Sequence, residues 1–346
     1  EIAGRLGFDT NGLSGGVVMD DLNGDGFLDL VASAYPLSHP VQFFLSDGDG
    51  GYVDHTEAAG LLGIGGGLNL VHADYDNDGD PDILVLRGGW ERSWGRLPNS
   101  LLRNDGEAGF TDVTVEAGLY SRYPTQTAAW ADFNQDGHLD LFIGNEALVT
   151  PDPVTGEPFL EDHPCEFYIN NGDGTFREAA DAYGLAVRGY IKGVVWGDVD
   201  NDGRIDLFLS NMQGRNFLFR NRGPGDDGRW RFEERAAEAG VTRPEEGFPT
   251  WFWDYNNDGW LDLFVSGYSA TRLGGGLVAR DQAIEYWNLP REAERLWLYE
   301  NDGDGTFTDV TAARNLDTVV YSMGANFGDI DNDGWLDFYL GSGEPD

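Results

Sequence analysis

The segment Trp196-Gly197-Asp198-Val199-Asp200-Asn201-Asp202-Gly203-Arg204-Ile205-Asp206-Leu207-Phe208-Leu209 decides the fold of this chain. Its aspartates occupy positions 1, 3, 5 and 9 of a nine-residue loop, with glycine at position 6 and a further carbonyl ligand at position 7. Oxygen ligands on a short flexible loop suit Ca²⁺, because Mg²⁺ prefers a tighter octahedron and keeps more of its water. The glycine supplies backbone angles that a residue with Cβ resists.

The loop occurs six times, and we number the copies 1 to 6: residues 21–29, 74–82, 132–140, 198–206, 254–262 and 329–337. Their starts lie 53 to 75 residues apart, which indicates one repeat array rather than isolated acidic turns. The predicted metal ligands are the side chains at positions 1, 3, 5 and 9 and the carbonyl at position 7: Asp21, Asn23, Asp25, Phe27, Asp29; Asp74, Asp76, Asp78, Asp80, Asp82; Asp132, Asn134, Asp136, His138, Asp140; Asp198, Asp200, Asp202, Arg204, Asp206; Asp254, Asn256, Asp258, Trp260, Asp262; Asp329, Asp331, Asp333, Trp335, Asp337. We therefore expect up to six Ca²⁺. Binding should be tighter in loops 2, 4 and 6, which carry aspartate rather than asparagine at position 3.

Apolar runs rich in Val, Ile, Phe and Trp flank every loop, so each loop is predicted to be the turn of a β-hairpin. The runs are 16–19 and 28–32, 68–72 and 83–86, 127–130 and 139–143, 193–196 and 205–209, 250–253 and 261–265, and 324–327 and 336–340. An EF-hand is excluded, because it needs flanking helices and a glutamate at position 12.

A second hairpin signal, an Asn/Asp-Gly cluster between apolar strands, follows each of the first five loops. We interpret it as a tight turn rather than a second metal site, because it lacks the carboxylate of position 9. Four strands per repeat predict an all-β fold, a β-propeller of four-stranded blades in a single domain 1–346. The blades are 9–61, 62–119, 120–185, 186–241 and 242–316, with half a sixth at 317–346. A glycine-terminated helical turn should lead from each blade to the next.

The half blade leaves strand edges open, which invites pairing with further chain or with a neighbouring chain.

The composition restricts the partners of this chain. Hydrophobic residues make up 40% and aromatic residues 13%, enough for a core, although the net charge is −39. Positions 1, 3, 5 and 9 of the loops hold 21 of the 61 acidic residues, and six Ca²⁺ would reduce the charge to about −27. Nucleic acid is an unsuitable partner, because binding it requires a basic surface. No apolar stretch is long enough to span a membrane, and Cys165 has no second cysteine for a disulfide.

Further segments resemble a known class of repeats: Leu84-Val85-Leu86-Arg87-Gly88-Gly89-Trp90, Pro98-Asn99-Ser100-Leu101-Leu102-Arg103-Asn104, Phe248-Pro249-Thr250-Trp251-Phe252-Trp253-Asp254 and Met323-Gly324-Ala325-Asn326-Phe327-Gly328-Asp329. With the loops, they are similar to FG-GAP/VCBS calcium-binding propeller repeats, and more narrowly to bacterial members of the cartilage acidic protein family, which often carry an ASPIC/UnbV domain. The resemblance implies seven blades, Ca²⁺ in the hairpin loops and a secreted or surface location. It implies no established catalytic activity, so we expect no enzyme and assign no catalytic residue. Such relatives usually continue into another blade and the ASPIC/UnbV domain.

Insertions interrupt the repeat at 87–100, 150–165 and 268–295. The first carries the candidate ligand-binding residues Arg87, Trp90, Arg92, Trp94 and Arg96. Arginine and tryptophan can stack on sugar rings or clamp a carboxylate; alternatively they pack over the blade and pair with nearby aspartates. The second, rich in proline, is predicted to be a stiff surface loop, and the third is predicted to contain one or two helical turns within 279–294.

The leading hypothesis is a non-enzymatic, Ca²⁺-stabilised module for interaction, adhesion or assembly, with a protein or glycan partner at the cell surface. Weak Ca²⁺ loops fill where the ion is near millimolar, which favours an extracellular or surface location, with the periplasm as an alternative. One alternative function is a carbohydrate-active propeller, either a lectin or a Ca²⁺-dependent polysaccharide lyase. Another is a structural subunit of a surface assembly, which self-assembles by completing its half blade with strands from a neighbouring chain.

Overall fold

The computed structural model describes residues 14–151, 155, 158–161, 163–268, 294–320 and 322–342. These residues form β-strands joined by turns, with two helical turns, α1 (Ala180–Tyr183) and α2 (Ala236–Ala239), and two short 3₁₀ turns, Leu61–Gly63 and Arg92–Gly95. Within the described ranges, none of the helices has the length and apolar character needed to cross a membrane.

Five four-stranded antiparallel sheets follow one another along the chain. Sheets 1 and 2 consist of β1 (Ser14–Asp20), β2 (Asp29–Ala34), β3 (Gln42–Ser46) and β4 (Tyr52–Asp54), and of β5 (Asn69–Ala73), β6 (Asp82–Leu86), β7 (Ser100–Asn104) and β8 (Phe110–Asp112). Sheet 3 consists of β9 (Thr125–Ala131), β10 (Asp140–Asn145), β13 (Glu166–Asn170) and β14 (Phe176–Glu178). Sheets 4 and 5 consist of β15 (Ile191–Gly197), β16 (Asp206–Asn211), β17 (Phe217–Pro224) and β18 (Trp230–Glu234), and of β19 (Gly247–Trp253), β20 (Asp262–Gly267), β21 (Trp297–Asn301) and β22 (Phe307–Asp309). Sheet 6 has two strands, β23 (Ser322–Gly328) and β24 (Asp337–Ser342). The prediction of an all-β fold with four-stranded antiparallel sheets is confirmed.

The chain divides into two units, Glu1–Ala180 and Asp181–Asp346. Within the first unit, β6 shows why the strand after each loop is a continuous apolar run. Its side chains alternate, so that Ile83 and Val85 join the cluster with sheet 1 while Leu84 and Leu86 join the cluster with sheet 3. A strand buried on both faces has no polar side. Each such side chain stabilises the fold by about 1.5–3 kcal/mol relative to an exposed one.

The second unit repeats this arrangement in β20. Leu263 and Val265 pack in the cluster that joins sheets 4 and 5, whereas Phe264 packs in the cluster that joins sheets 5 and 6. The ring of Phe264 stacks on Trp251 with their centroids 4.2 Å apart. In each unit, therefore, consecutive sheets pack against each other through the alternating faces of their second strands.

A turn follows the fourth strand of each four-stranded sheet, and in four of the five it contains a glycine with positive φ: Gly60, Gly118, Gly184 and Gly240. This confirms the predicted left-handed end of a helical turn. The turn also contacts the next sheet within the first unit, because the Phe176 amide donates to the carbonyl of Ala117 over 2.8 Å.

The insertions are placed as follows. The second insertion, predicted to be a surface loop, contributes to a two-stranded sheet of β11 (Leu148–Pro151) and β12 (Pro158–Glu161). Its prolines Pro151 and Pro158 pair at one end of this ladder, where a missing N–H is tolerated. Most of the third insertion, residues 269–293, lies outside the described residues, and so does nearly all of the helical segment predicted within it. Residues 1–13 and 343–346, which include the start of the first predicted blade and the end of the predicted half blade, also lie outside them.

Candidate metal sites

Each acidic loop joins the first and second strands of one sheet, which is the predicted hairpin position. The position-1 aspartate folds each loop: in loop 2, Oδ1 of Asp74 accepts from the Asp78 amide (3.1 Å) and Oδ2 from the Gly79 amide (3.0 Å). The other five loops repeat both bonds. These contacts draw positions 5 and 6 of each loop back onto position 1.

In the three loops with aspartate at position 3, carboxylate oxygens of three aspartates lie within 4.8 Å of one another. The groups are Asp74, Asp76 and Asp78 in loop 2, Asp198, Asp200 and Asp206 in loop 4, and Asp329, Asp331 and Asp333 in loop 6. Like charges at this distance repel, so the groups favour a bound cation.

Loops 1, 3 and 5 have asparagine at position 3, and the amide neutralises part of this repulsion. Nδ2 of Asn23, Asn134 and Asn256 donates to Oδ2 of the position-5 aspartate at 3.1, 2.9 and 2.9 Å. These loops therefore carry one carboxylate fewer and one internal hydrogen bond more, which is consistent with weaker cation binding.

The position-9 aspartate begins the second strand and is buried in the first five loops, where its exposure is at most 1%. In loop 2, Asp82 accepts from the amides of Asn104 (2.9 Å) and Tyr75 (3.2 Å). Burial raises the pKa of the position-9 carboxyl to about 8 in loops 2 and 3 and to about 7 in loops 4 and 5, because desolvation outweighs the backbone hydrogen bonds. A divalent cation beside these groups would offset the cost of burying their charge. Asp337, in loop 6, is half-buried.

The residue at position 7 is predicted to offer its backbone carbonyl to the cation. Its backbone amide donates to the position-5 carboxylate in all six loops. In loops 1 and 5 its side chain lies against the second hairpin of the same sheet: a Cβ on Gly48 would lie 3.2 Å from the Phe27 ring, and one on Gly303 would lie 3.1 Å from the indole of Trp260. The proposed ligand at this position is a backbone carbonyl, which any residue supplies, so the side chain is free to differ from loop to loop.

Neighbouring loops within a unit are joined by asparagines that the sequence did not single out. At position 4, Nδ2 of Asn77 donates to the Gly137 carbonyl of loop 3 (3.0 Å), and Asn201 and Asn257 make the corresponding bonds to loops 5 and 6. In the second hairpins, Nδ2 of Asn104, Asn170 and Asn301 donates to the position-2 carbonyl of the preceding loop. The sequence signal for the second group is an asparagine two residues before the glycine of the second hairpin, which recurs in sheets 2 to 5, whereas sheet 1 has Ser46 there.

Arg87, a candidate ligand-binding residue, is buried in the described structure. Its guanidinium donates to the carbonyls of Gly65 (2.8 Å) and Pro98 (2.8 Å) and to Oγ of Ser100 (2.8 Å). Burial lowers the pKa of Arg87 to about 10. These contacts assign it to holding the connection between the second and third strands of sheet 2.

The other candidates in this insertion are dispersed. The Trp90 amide donates to the buried carboxylate of Glu146 over 2.9 Å, whereas the Arg92 side chain lies outside the described part of the chain. Trp94 is 86% exposed and Arg96 is exposed as well. Any ligand-binding role in this insertion therefore rests, among the described side chains, mainly on Trp94 and Arg96.

Comparison with known proteins places these sites in context. A model of FG-GAP-like repeats matches residues 21–85, 158–209, 198–265 and 278–340, more than half of the chain. Cartilage acidic protein 1 of Homo sapiens is 24% identical over 323 residues, covering 81% of this chain and 48% of the relative. The Mus musculus protein of that name is 25% identical over 273 residues, covering 67% and 41%. The chain thus spans about half the length of the curated relatives it matches, or less.

Among solved structures, the crystal structure of the V. cholerae biofilm matrix protein Bap1 is similar with a TM-score of 0.45 and 14% identity. The alignment covers 87% of this chain and 40% of that protein.

Proposed function

The chain belongs to the FG-GAP-like repeat family, related to cartilage acidic protein 1, and from that premise we propose that it is a Ca²⁺-binding β-propeller that acts as a non-enzymatic extracellular module for interaction or assembly. The repeated acidic loops of this chain are suited to binding Ca²⁺, and we assign them no catalytic role.

One observation carries the proposal: the same oxygen-only loop recurs at the same hairpin of all six sheets. In loop 2, three carboxylates converge within 4.8 Å, and Asp82, the fourth, is buried at the end of the loop. Carboxylates held this close without a cation destabilise the fold, because each raises the cost of ionising the others. A hard divalent cation with flexible coordination removes that cost, and oxygen ligands select Ca²⁺ over softer metals.

The propeller arrangement is supported by the packing within each unit. Second strands such as β6 are buried on both faces, as expected where each sheet lies between two others. We propose that the sheets continue this stacking around an axis, in one domain with the blade limits 9–61, 62–119, 120–185, 186–241, 242–316 and 317–346. The hydrogen bonds between adjacent loops of one unit support our proposal that the Ca²⁺ sites of that unit lie side by side.

The proposed location and partners follow from the loops and from the charge. Loops of this type fill where Ca²⁺ is near millimolar, as it is outside cells. With a net charge of −39, the surface disfavours nucleic acid and favours a protein or glycan partner, or self-assembly bridged by cations.

The test is thermal unfolding of the purified chain in Ca²⁺, in Mg²⁺ at the same concentration, and in excess EDTA. Each site filled at a hundred times its Kd stabilises the fold by about 2.7 kcal/mol, so chelation should lower the Tm sharply. The Mg²⁺ sample is the control, because it reproduces the charge screening of Ca²⁺ but coordinates poorly in such loops. An unchanged Tm in EDTA would contradict the proposal.

A further inference from the structure

Loop 4 differs from the other loops in what its carboxylates contact. Arg220, on β17 of the same sheet, forms an ion pair with Asp200, and its Nε lies 3.1 Å from Oδ2 of Asp206. Arg204, at position 7, pairs with Asp202. Three of the four aspartates of this loop thus have an arginine partner. Among the described residues, no aspartate at the corresponding positions of the other five loops forms an ion pair with arginine or lysine.

The arginines also change the geometry of the loop. In loops 2 and 6 the converging carboxylates are those of positions 1, 3 and 5, whereas in loop 4 they are those of positions 1, 3 and 9. Asp202, at position 5, is held by Arg204, whose Nε also donates to the carbonyl of Asn221 over 3.0 Å. The donor set of loop 4 therefore does not match that of its two counterparts.

Arg220 is built into the protein rather than resting on its surface. It is 5% exposed, and a Cβ on Gly305, in the second hairpin of sheet 5, would lie 3.4 Å from its Nη1. Sheet 2 provides a direct comparison, since it has Arg103 at the same place in the repeat. Arg103 is exposed, and a Cβ on the matching Gly174 would meet no atom within 4 Å.

In sheets 1, 3 and 5 the equivalent residues are Leu45, Ile169 and Glu300. They are identified by the residue that follows each of them, because its backbone amide donates to the position-9 carboxylate of the same sheet. Sheet 4 is thus the sheet in which a buried guanidinium enters the acidic loop.

We propose that Arg220 is a built-in counter-cation that replaces Ca²⁺ in loop 4. This inference rests on the proposed Ca²⁺ binding of the other loops and departs from the order expected from carboxylate counts, which predicts that loop 4 is one of the tighter sites. A dication beside the guanidinium would repel it, and expelling Arg220 would cost its two ion pairs and its packing. Loop 4 is therefore folded but empty at Ca²⁺ concentrations that fill loops 2 and 6.

The first experiment counts bound Ca²⁺ per chain by equilibrium dialysis in wild type, Arg220→Ile and Arg222→Ile. Isoleucine is the residue that sheet 3 has at this place. We expect Arg220→Ile to bind one more Ca²⁺ than wild type. Arg222 is the matched control, since it lies two residues further along the strand and pairs with Glu233 at the surface; its variant should bind the wild-type number. An unchanged count in folded Arg220→Ile overturns the inference.

A second pair of variants decides the question even if Arg220→Ile does not fold. Asp78→Ala and Asp202→Ala remove the position-5 carboxylate from loops 2 and 4. We expect the first to lose one bound Ca²⁺ and the second to lose none. If both lose one, the role of Arg220 is wrong while Ca²⁺ binding stands. If Asp78→Ala loses none, the proposed function itself fails.

Discussion

At the scale of single residues, a buried asparagine of the second hairpin links two acidic loops. In sheet 3, the Asn170 amide donates to Asp140 of its own loop (2.8 Å), and its Nδ2 donates to the Tyr75 carbonyl of loop 2 (2.8 Å) and the Leu139 carbonyl (3.0 Å). Its Oδ1 accepts from the Gly172 amide. One side chain thus satisfies three backbone groups across two sheets.

We expect Asn170→Ala to reduce the free energy of unfolding by about 2–3 kcal/mol, because buried backbone groups lose their partners. Urea denaturation of the Ca²⁺-loaded protein measures this loss. Asn171→Ala is the matched control: that side chain is exposed and bonds only locally, to Thr175 at 2.9 Å, so its loss should stay within about 0.5 kcal/mol. Equal losses in the two variants would contradict a linking role for Asn170.

At the scale of elements, the glycine turns determine how closely one sheet approaches the next. Gly118 has φ +80°, and a Cβ there would lie 3.0 Å from the Phe176 carbonyl oxygen of the following sheet. Gly184 has a similar φ of +71°, but a Cβ there would meet no atom within 4 Å. Comparing alanine variants at Gly118 and Gly184 therefore separates the free-energy cost of a left-handed backbone from the cost of a clash with the next sheet.

Gly184→Ala should cost about 1–2 kcal/mol, the usual penalty for alanine in this conformation. Gly118→Ala should cost at least about 1 kcal/mol more, because the neighbouring strand must shift as well. The measurement is the midpoint of urea unfolding of each variant against wild type. If Gly184→Ala destabilised as much as Gly118→Ala, the contact would contribute nothing.

At the scale of the whole chain, the metal-free protein carries a large excess of negative charge. With a net charge of −39, the metal-free protein repels itself, and the proposed Ca²⁺ ions would remove part of that repulsion in the acidic loops. Salt shortens the range of the remainder, from about 30 Å at 0.01 M to about 3 Å at 1 M.

We therefore expect NaCl to raise the Tm of the protein in EDTA over this range, by roughly 3 °C if screening recovers about 2 kcal/mol, because the entropy of unfolding grows with chain length. The same titration in saturating Ca²⁺ should give a clearly smaller rise, because the loop charges are already neutralised. Parallel thermal scans in the two buffers make the comparison. A salt response of equal size in both would show that the acidic loops are not its source.

The amino-acid sequence by itself determined the acidic loops, the hairpins around them and the four-stranded sheets, because each of these is encoded within a few consecutive residues. Positions 1 to 9 of a loop are brought together by their own backbone, so local spacing suffices to predict their geometry. Only the tertiary structure decided which side chains from elsewhere enter those loops. Asn170 contacts a carbonyl 95 residues earlier, Arg220 enters loop 4 and Arg87 is buried. Such contacts depend on how neighbouring strands and sheets pack, so the recurrence of asparagine at the place of Asn170 did not identify its partner, and no local pattern identified the partners of Arg220 or Arg87.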